Sequence, residues 1–209
     1  MSSMEPQKTL YKYRSLQSWK FVLDIFLNRR LFAAEYRTLN DPMEGRYLYT
    51  GDSLSNQFVD NVLHAKRKLK ICSLSESRTN TLMWSHYSDG HAGIALGIRV
   101  KAPPKNKCQI VPVEYVDEIT VEDSNAKSKK VAKQILSKKM KPWAYEKEVR
   151  LLTERQFIPI YIDELVLGCK IDANDEALLR QLVDRCSKRT EIIKLKRSDL
   201  DAPQHISAT

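Results

Sequence analysis

A period of two opens the patterned part of the chain. In TLYKYRS (Thr9 to Ser15), Tyr11 and Tyr13 share one face and Lys12 and Arg14 the other, which predicts a short strand. The period then lengthens. In LQSWKFVLDIFLNRRLF, Trp19, Val22, Leu23, Phe26 and Leu27 recur at helical spacing. RTLNDPMEG (Arg37 to Gly45) carries no period, and its Asn-Asp-Pro marks turns. A second helix is expected in LSNQFVDNVLHAKRKL, then a strand in LKICSLSE (Leu69 to Glu76). NTLMWSHYSD reads as a short helix with a Thr or Asn as its cap. GIALGIRV and QIVPVEYVD read as strands, and the Lys-rich stretch from Asn125 as a helix ending before Pro142. The strand EVRLLTE (Glu148 to Glu154), the strand IDELVLGCKI, the amphipathic helix NDEALLRQLVDRC and the strand EIIKLKR complete the chain. Helices and strands mix without regular βαβ alternation. The expected class is α+β, a single domain over residues 9–201 with a split mixed or antiparallel sheet and flanking helices. Residues 1–8 are expected to be disordered and residues 202–209 to form a flexible tail.

Composition narrows the setting. Hydrophobic residues make up 42% of the 209 and charged residues 29%, and no apolar run nears the roughly 18 residues of a membrane helix. The opening MSSMEPQKTL lacks the pattern of a secretory signal, so a cytoplasmic protein with no membrane partner is expected. The scattered Cys72, Cys108, Cys169 and Cys186 form no CxxC and read as reduced, half-buried small hydrophobes. The formal charge of +9 is uneven. HAKRKLK (His64 to Lys70) is basic, EYVDEITVED (Glu114 to Asp123) is acidic, and Ala126 to Lys141 holds seven Lys and no acid. A basic face binds polyanions or is simply solvated.

The chemistry is mostly defined by exclusion. No glycine-rich phosphate loop, HExxH or GxSxG is present among only six glycines. His86 and His91 lie five apart with Asp89-Gly90 between them, off the spacing that puts two metal ligands on one helix face. They read as residues that orient a loop or line a pocket, or that satisfy buried backbone groups; no metal is expected.

Several words, in order, carry a resemblance: LYKYRSL, NRRLFAAEYRTLNDPMEG, ICSLSES, LMWSHYSDGHAGIALGI, PVEYVDE, PWAYEKEVRLL, LVLGCKI and KLKRSDLD. Across residues 10 to 200 they resemble a widespread bacterial family of domains of unknown function. More distantly, the order is similar to the ADP-ribosyltransferase superfamily, above all DarT-like toxins that modify DNA. LYKYRS stands in the place of their first strand. ICSLSES leading into LMWSHY stands in the second place, and YEKEVRLL, with Glu148 at the head of a strand, in the place of their catalytic glutamate.

That resemblance implies an ADP-ribosyltransferase-like fold with NAD as substrate. Glu148 would be the catalytic carboxylate, with Glu146 its competitor two residues away. Cleaving the nicotinamide–ribose bond develops positive charge on the ribose, which a preorganised carboxylate stabilises. Tyr13, Trp84 and Tyr87 would stack on the ligand, and Lys12, Arg14 and Arg37 would hold its phosphates. Ser75, His86 and His91 would complete the pocket, with Gly90 and Gly93 allowing close backbone approach. Lys12 replaces the superfamily's first-motif His or Arg, and its Ser-Thr-Ser pattern is reduced to Ser73 and Ser75. The resemblance also implies a toxin or phage-defence setting with an antitoxin or sensor partner. Lys130, Lys133, Lys138 and Lys139 would guide single-stranded DNA or RNA to Glu148, with bases stacking on Trp143 or Tyr145. Two other classes stay open: a non-catalytic nucleic-acid or protein binding module, and a metal-dependent nuclease or hydrolase built on His86, Asp89, His91 and Glu148.

Overall fold

The computed structural model describes residues 8–49, 55–101, 108–121 and 127–201. The expected flexible tail, and all but Lys8 of the expected disordered start, lie outside the described residues. The elements begin with β1 (Leu10–Arg14), α1 (Trp19–Asn28), β2 (Arg30–Phe32), β3 (Ala34–Glu35), β4 (Leu48–Tyr49) and α2 (Asn56–Lys68). Next come β5 (Lys70–Ser75), α3 (Thr81–Tyr87), β6 (Ile94–Val100), β7 (Cys108–Pro112), β8 (Glu114–Val116), β9 (Thr120–Val121) and α4 (Ser128–Ile135). The chain closes with β10 (Lys138–Met140), β11 (Glu148–Thr153), β12 (Phe157–Leu167), α5 (Ala173–Cys186) and β13 (Glu191–Lys194). The class is α+β, and most strand pairs are antiparallel.

The chain forms two compact units. The first takes residues up to Leu31, Leu74–Lys101 and those from Pro159 on; the second takes Phe32–Ser73 and Ala102–Ile158. In the first unit β6 is central, antiparallel to both β1 and β12, and β13 runs parallel to β12. All of β6 is buried except Arg99, as its apolar run IALGI requires. α1 buries Val22, Ile25 and Phe26, while Leu23 and Leu27, expected inside, are exposed. The expected helix through Phe32 stops at Arg29, whose left-handed φ of 51° turns the chain into β2. α5 is capped by the Asp172 carboxylate, which accepts from the Asn174 amide at 2.8 Å.

In the second unit β5, β11 and β7 follow one another, with β3 beside β5. β11 is buried along its whole length. The expected single strand QIVPVEYVD is two. β7 pairs with β11, and β8 pairs in parallel with β10, on either side of Val113. Pro112 lacks the amide proton that a continuing ladder needs, and the Val113 amide turns to the Glu148 carbonyl at 2.9 Å. The Lys-rich helix is also shorter than expected. α4 ends at Ile135, and Lys138–Met140 become β10, with Lys138 in register with Glu114. α2 and α4 pack through Val62, Val131 and Ile135 onto Ile119 and Val121.

Candidate functional site

LNDPMEG builds one wall of a cavity in the second unit. The Asp41 carboxylate accepts from the Met43 amide at 2.9 Å and its carbonyl from the Glu44 amide at 3.0 Å, closing the turn around Pro42. Glu44 is thereby turned inward and is 8% exposed. Gly45 has φ +70°, and a Cβ there would lie 2.7 Å from the Tyr36 ring, so both its conformation and its surroundings require glycine. Its carbonyl accepts from the Lys66 ammonium at 2.5 Å. Lys66 is 4% exposed and lies between two rings, 4.9 Å from the Tyr36 centroid and 5.0 Å from that of Tyr47. Burial, helped by the nearby Arg37 charge, pushes its amine down to about 8, against the pull of Glu44.

The cavity measures about 750 Å³, in the range of small-molecule sites. Its buried members are Tyr36, Asp41, Glu44, Gly45, Lys66 and Ile119, while Arg37 and Arg46 are exposed on its lining. Arg37 donates through Nε to the Tyr36 hydroxyl at 3.1 Å and lies over that ring. Met43, Ile119 and Met140 add apolar surface, and Asp117 and Glu118 add acid. The Asp117 carboxylate is paired with Lys141 at 2.5 Å.

Behind Glu44 is a buried network of charge. Arg150, with no exposed surface, donates to both Glu44 oxygens at 2.7 Å, to Glu148 at 2.9 and 3.2 Å, and to the Leu136 carbonyl at 2.8 Å. Lys139 reaches Glu146 at 2.5 Å and Glu148 at 3.4 Å, and lies 4.6 Å from the Trp143 ring centroid. The Glu148 amide donates to the Tyr115 hydroxyl at 2.8 Å. Burial alone would raise the Glu148 carboxyl. The charge and hydrogen bonds of Arg150, the charge of Lys139 and a hydrogen bond from Ser73 together carry it down to about 2. The Arg150 guanidinium is held above its ordinary value although burial works against it, because Glu148 and Glu44 flank it.

The expected site residues divide between the units. Glu148 heads β11 as expected, but it is 4% exposed and its carboxylate is occupied by Arg150 and Lys139. Glu146 is not on that strand; it ends the short turn before β11 and is buried against Lys139. Arg37 lines the cavity. Lys12, Tyr13, Arg14, Ser75, Trp84, His86, Tyr87 and His91 all belong to the first unit. There Tyr13 and Trp84 are buried edge to face, 5.2 Å apart. Tyr13 donates to the Ser77 carbonyl at 2.9 Å, Trp84 to that of Arg78 at 2.8 Å, and the Ser75 hydroxyl accepts from the Ser77 amide at 3.1 Å. Lys12 and Arg14 are half-buried, His86 is exposed, and its ring is 6.3 Å from that of Tyr87.

The segment Trp84–His91 was expected to form the floor and rim of a pocket; from Ser88 through Gly93 the chain is a close-packed corner of the first unit. The Asp89 carboxylate accepts from the Ser15 hydroxyl at 2.7 Å and the Leu16 amide at 2.8 Å, both through Oδ2, which ties it to the turn after β1; Glu148, which the hydrolase reading groups with it, belongs to the second unit. Asp89, Gly90 and His91 all have positive φ, and the His91 carbonyl accepts from the Lys170 amide. A Cβ on Gly93 would be 2.4 Å from the Arg14 carbonyl, and one on Gly168 would be 2.1 Å from that of His91. The glycines permit close approach of the chain to itself.

The four expected nucleic-acid lysines also divide. Lys130 is exposed and Lys133 half-buried on α4, whereas Lys138 is half-buried beside Glu114 at 3.8 Å and Lys139 is 5% exposed. Lys139 is withdrawn from any surface by Glu146. Among the described residues, no group of three or more His, Cys, Asp or Glu could hold a metal ion. No described helix is long and apolar enough to cross a membrane. All four cysteines are free thiols.

The second unit is thus an α+β unit with an aromatic, mixed-charge cavity backed by buried ion pairs. Residues 83–151, about a third of the chain, match the family model described as a protein of unknown function, DUF2971. That stretch includes MWSHYSDGHAG and YEKEVRL, two of the words that carry the resemblance to domains of unknown function. Comparison with curated proteins gives no match, and comparison with solved structures gives none.

Proposed function

We propose that the cavity of the second unit binds NAD and that the protein transfers its ADP-ribose group, with the fold a divergent ADP-ribosyltransferase. The observation that supports this is the charge layout of the cavity. Glu44 is a buried wall carboxylate fixed by a two-bond clamp from Arg150, whereas Arg37 and Arg46 are exposed cations on the same lining. NAD is dipolar in the same sense, with a cationic nicotinamide riboside at one end and an anionic pyrophosphate. Arg37 and Arg46 suit the pyrophosphate, and the half-buried Tyr47 offers a ring. When bound, NAD supplies a ribose that becomes cationic as nicotinamide leaves. A carboxylate already oriented by Arg150 stabilises that charge without reorganising. In this reading Glu44 is the catalytic carboxylate, and Glu148 is a positioning residue that holds Arg150. A toxin or phage-defence setting, with an antitoxin or sensor partner, is part of the same proposal.

Calorimetric titration with NAD, followed by chromatographic assay of released nicotinamide, tests it. Arg37→Ala with Arg46→Ala should weaken binding, and Glu44→Gln should bind NAD but release no nicotinamide. If wild-type protein binds no NAD, the reading fails. If it binds NAD without release, the cavity is a nucleotide site and transfer is removed from the proposal.

A further inference from the structure

A second feature of this unit is independent of the cavity. The last two turns of α2 (Val62 to Lys68) and all of α4 carry no acidic residue. The two helices pack together, and the end of β11 runs into Glu154 and Arg155 beside them. Lys129 pairs with the Glu154 carboxylate at 2.6 Å. Lys68 and Lys133 lie near enough to help Lys129 hold that carboxyl below its usual range. One carboxylate thus gathers lysines from two helices. Of the cations near Glu154, Lys68 and Lys129 are exposed and Lys133 half-buried, and one carboxylate cannot balance the three; Arg67, Lys130 and Arg155, their neighbours along the chain, are exposed as well. Lys129 and Lys130 are also in the first turn of α4, where the helix dipole opposes positive charge.

We infer that this ridge of Lys68, Lys129, Lys130, Lys133 and Arg155 is a binding surface for the phosphate backbone of nucleic acid. A membrane face of similar charge would also present apolar side chains for insertion. Among the described residues of this unit, the exposed large apolar ones (Phe32, Met43, Leu48 and Ile110) belong to neither α2 nor α4. Cations carried on two rigid helices without an apolar component suit a polyphosphate chain, which they recognise without reading sequence. The ridge keeps Lys130 and Lys133 of the sequence-based expectation and replaces Lys138 and Lys139 by Lys68, Lys129 and Arg155.

The test is fluorescence anisotropy of a labelled single-stranded 20-mer, as RNA and as DNA, with the full chain at 50 and 200 mM salt. If the five cations neutralise about five phosphates, affinity should fall roughly a hundredfold between those concentrations. A variant with Lys68→Glu, Lys130→Glu, Lys133→Glu and Arg155→Glu should lose binding while keeping its circular dichroism and melting temperature. The charge-preserving variant Lys68→Arg, Lys130→Arg, Lys133→Arg and Arg155→Lys should bind as wild type does. Arg37→Ala with Arg46→Ala should leave this binding unchanged, which separates it from failure or success of the NAD reading. No binding at 50 mM salt, equal binding by the Glu variant, or preference for phosphatidylserine vesicles over the oligonucleotide would each overturn the inference.

Discussion

Replacing Glu148 by Gln separates a carboxylate that reacts from one that holds a network. The carboxyl is lowered from 4.5 to about 2 in the folded protein. At about 1.4 kcal/mol per pKa unit, that depression corresponds to about 3 kcal/mol of stabilisation by the charged form. The sign follows from the direction. The folded pKa lies below the unfolded one, so the contribution is complete above pH 4.5 and fades as pH falls toward 2. Gln keeps the shape but leaves Arg150 with one carboxylate partner, Glu44, in place of two. Breaking one side of a buried ion pair costs about 3–5 kcal/mol, in agreement with the titration argument. Urea denaturation at pH 7 should therefore show the variant about 3 kcal/mol less stable, and its melting temperature should fall by about 6–12 °C. The gap between the two proteins should narrow as pH is lowered from 4.5 toward 2. If the variant melts with wild type at pH 7, or the gap is independent of pH, Glu148 does not anchor the network. Loss of nicotinamide release without loss of stability would then return it to the role of catalytic carboxylate.

Lys66 acts in the same direction with pH but in an alkaline window. Its amine is lowered from 10.5 to about 8, so wild-type stability should rise as pH increases from about 8 to 10.5, and Lys66→Met should flatten that rise in denaturant titrations. Gly45→Ala drives a Cβ to 2.7 Å from Tyr36 in a left-handed conformation, and should cost about 1–3 kcal/mol and weaken any ligand of the cavity. Gly168→Ala, with its Cβ 2.1 Å from the His91 carbonyl, should prevent the corner from closing; a soluble variant with an unchanged melting temperature would refute the packing argument.

The elements legible in the sequence were those whose period is dictated by a buried face. β1, β5, β6, β11, α3 and α5 fall where their apolar patterns place them, and Asn80 caps α3 through the Met83 amide at 3.0 Å. The errors arise where tertiary partners override local pattern. Seven lysines suggested one long solvated helix, but Glu114 and Glu146 draw Lys138 and Lys139 into strand pairing and burial. Glu148 was visible as the head of a strand, whereas its inaccessibility depends on Arg150 and Glu44, the latter 104 residues before it in sequence. Lys66 was hidden inside HAKRKLK, which looks uniformly solvated. A signal was nonetheless present. Lys66 stands four residues after Val62 and three before Leu69, on the apolar stripe of α2, and a lysine on such a stripe is either paired or functional. Glu44 was read only as part of a turn, because nothing local to LNDPMEG shows that the turn aims its carboxylate at an arginine.

The charge count of this interior limits what the cavity can accept. Glu44, Glu146 and Glu148 are three buried carboxylates, and Arg150 and Lys139 are two cations bonded to them. Lys66, protonated below pH 8 and attracted by Glu44, brings these six groups to neutrality, and the buried Asp41 carboxylate on the cavity wall adds a further negative charge. A dianion placed against Glu44 would find no spare positive charge there and would pay the cost of a buried like charge. The free cations are at the exposed part of the lining, Arg37 and Arg46. A ligand whose phosphates stay near those arginines, and whose cationic or neutral end goes to Glu44, is compatible with the interior. A compact dianion such as inorganic phosphate is compatible only with the exposed part. In the proposed function Glu44, and not Glu148, is the carboxylate that meets the developing positive charge. Both belong to one neutral group, but only Glu44 borders the cavity, and Arg150 transmits to it the fixed geometry that Glu148 and the Leu136 carbonyl impose.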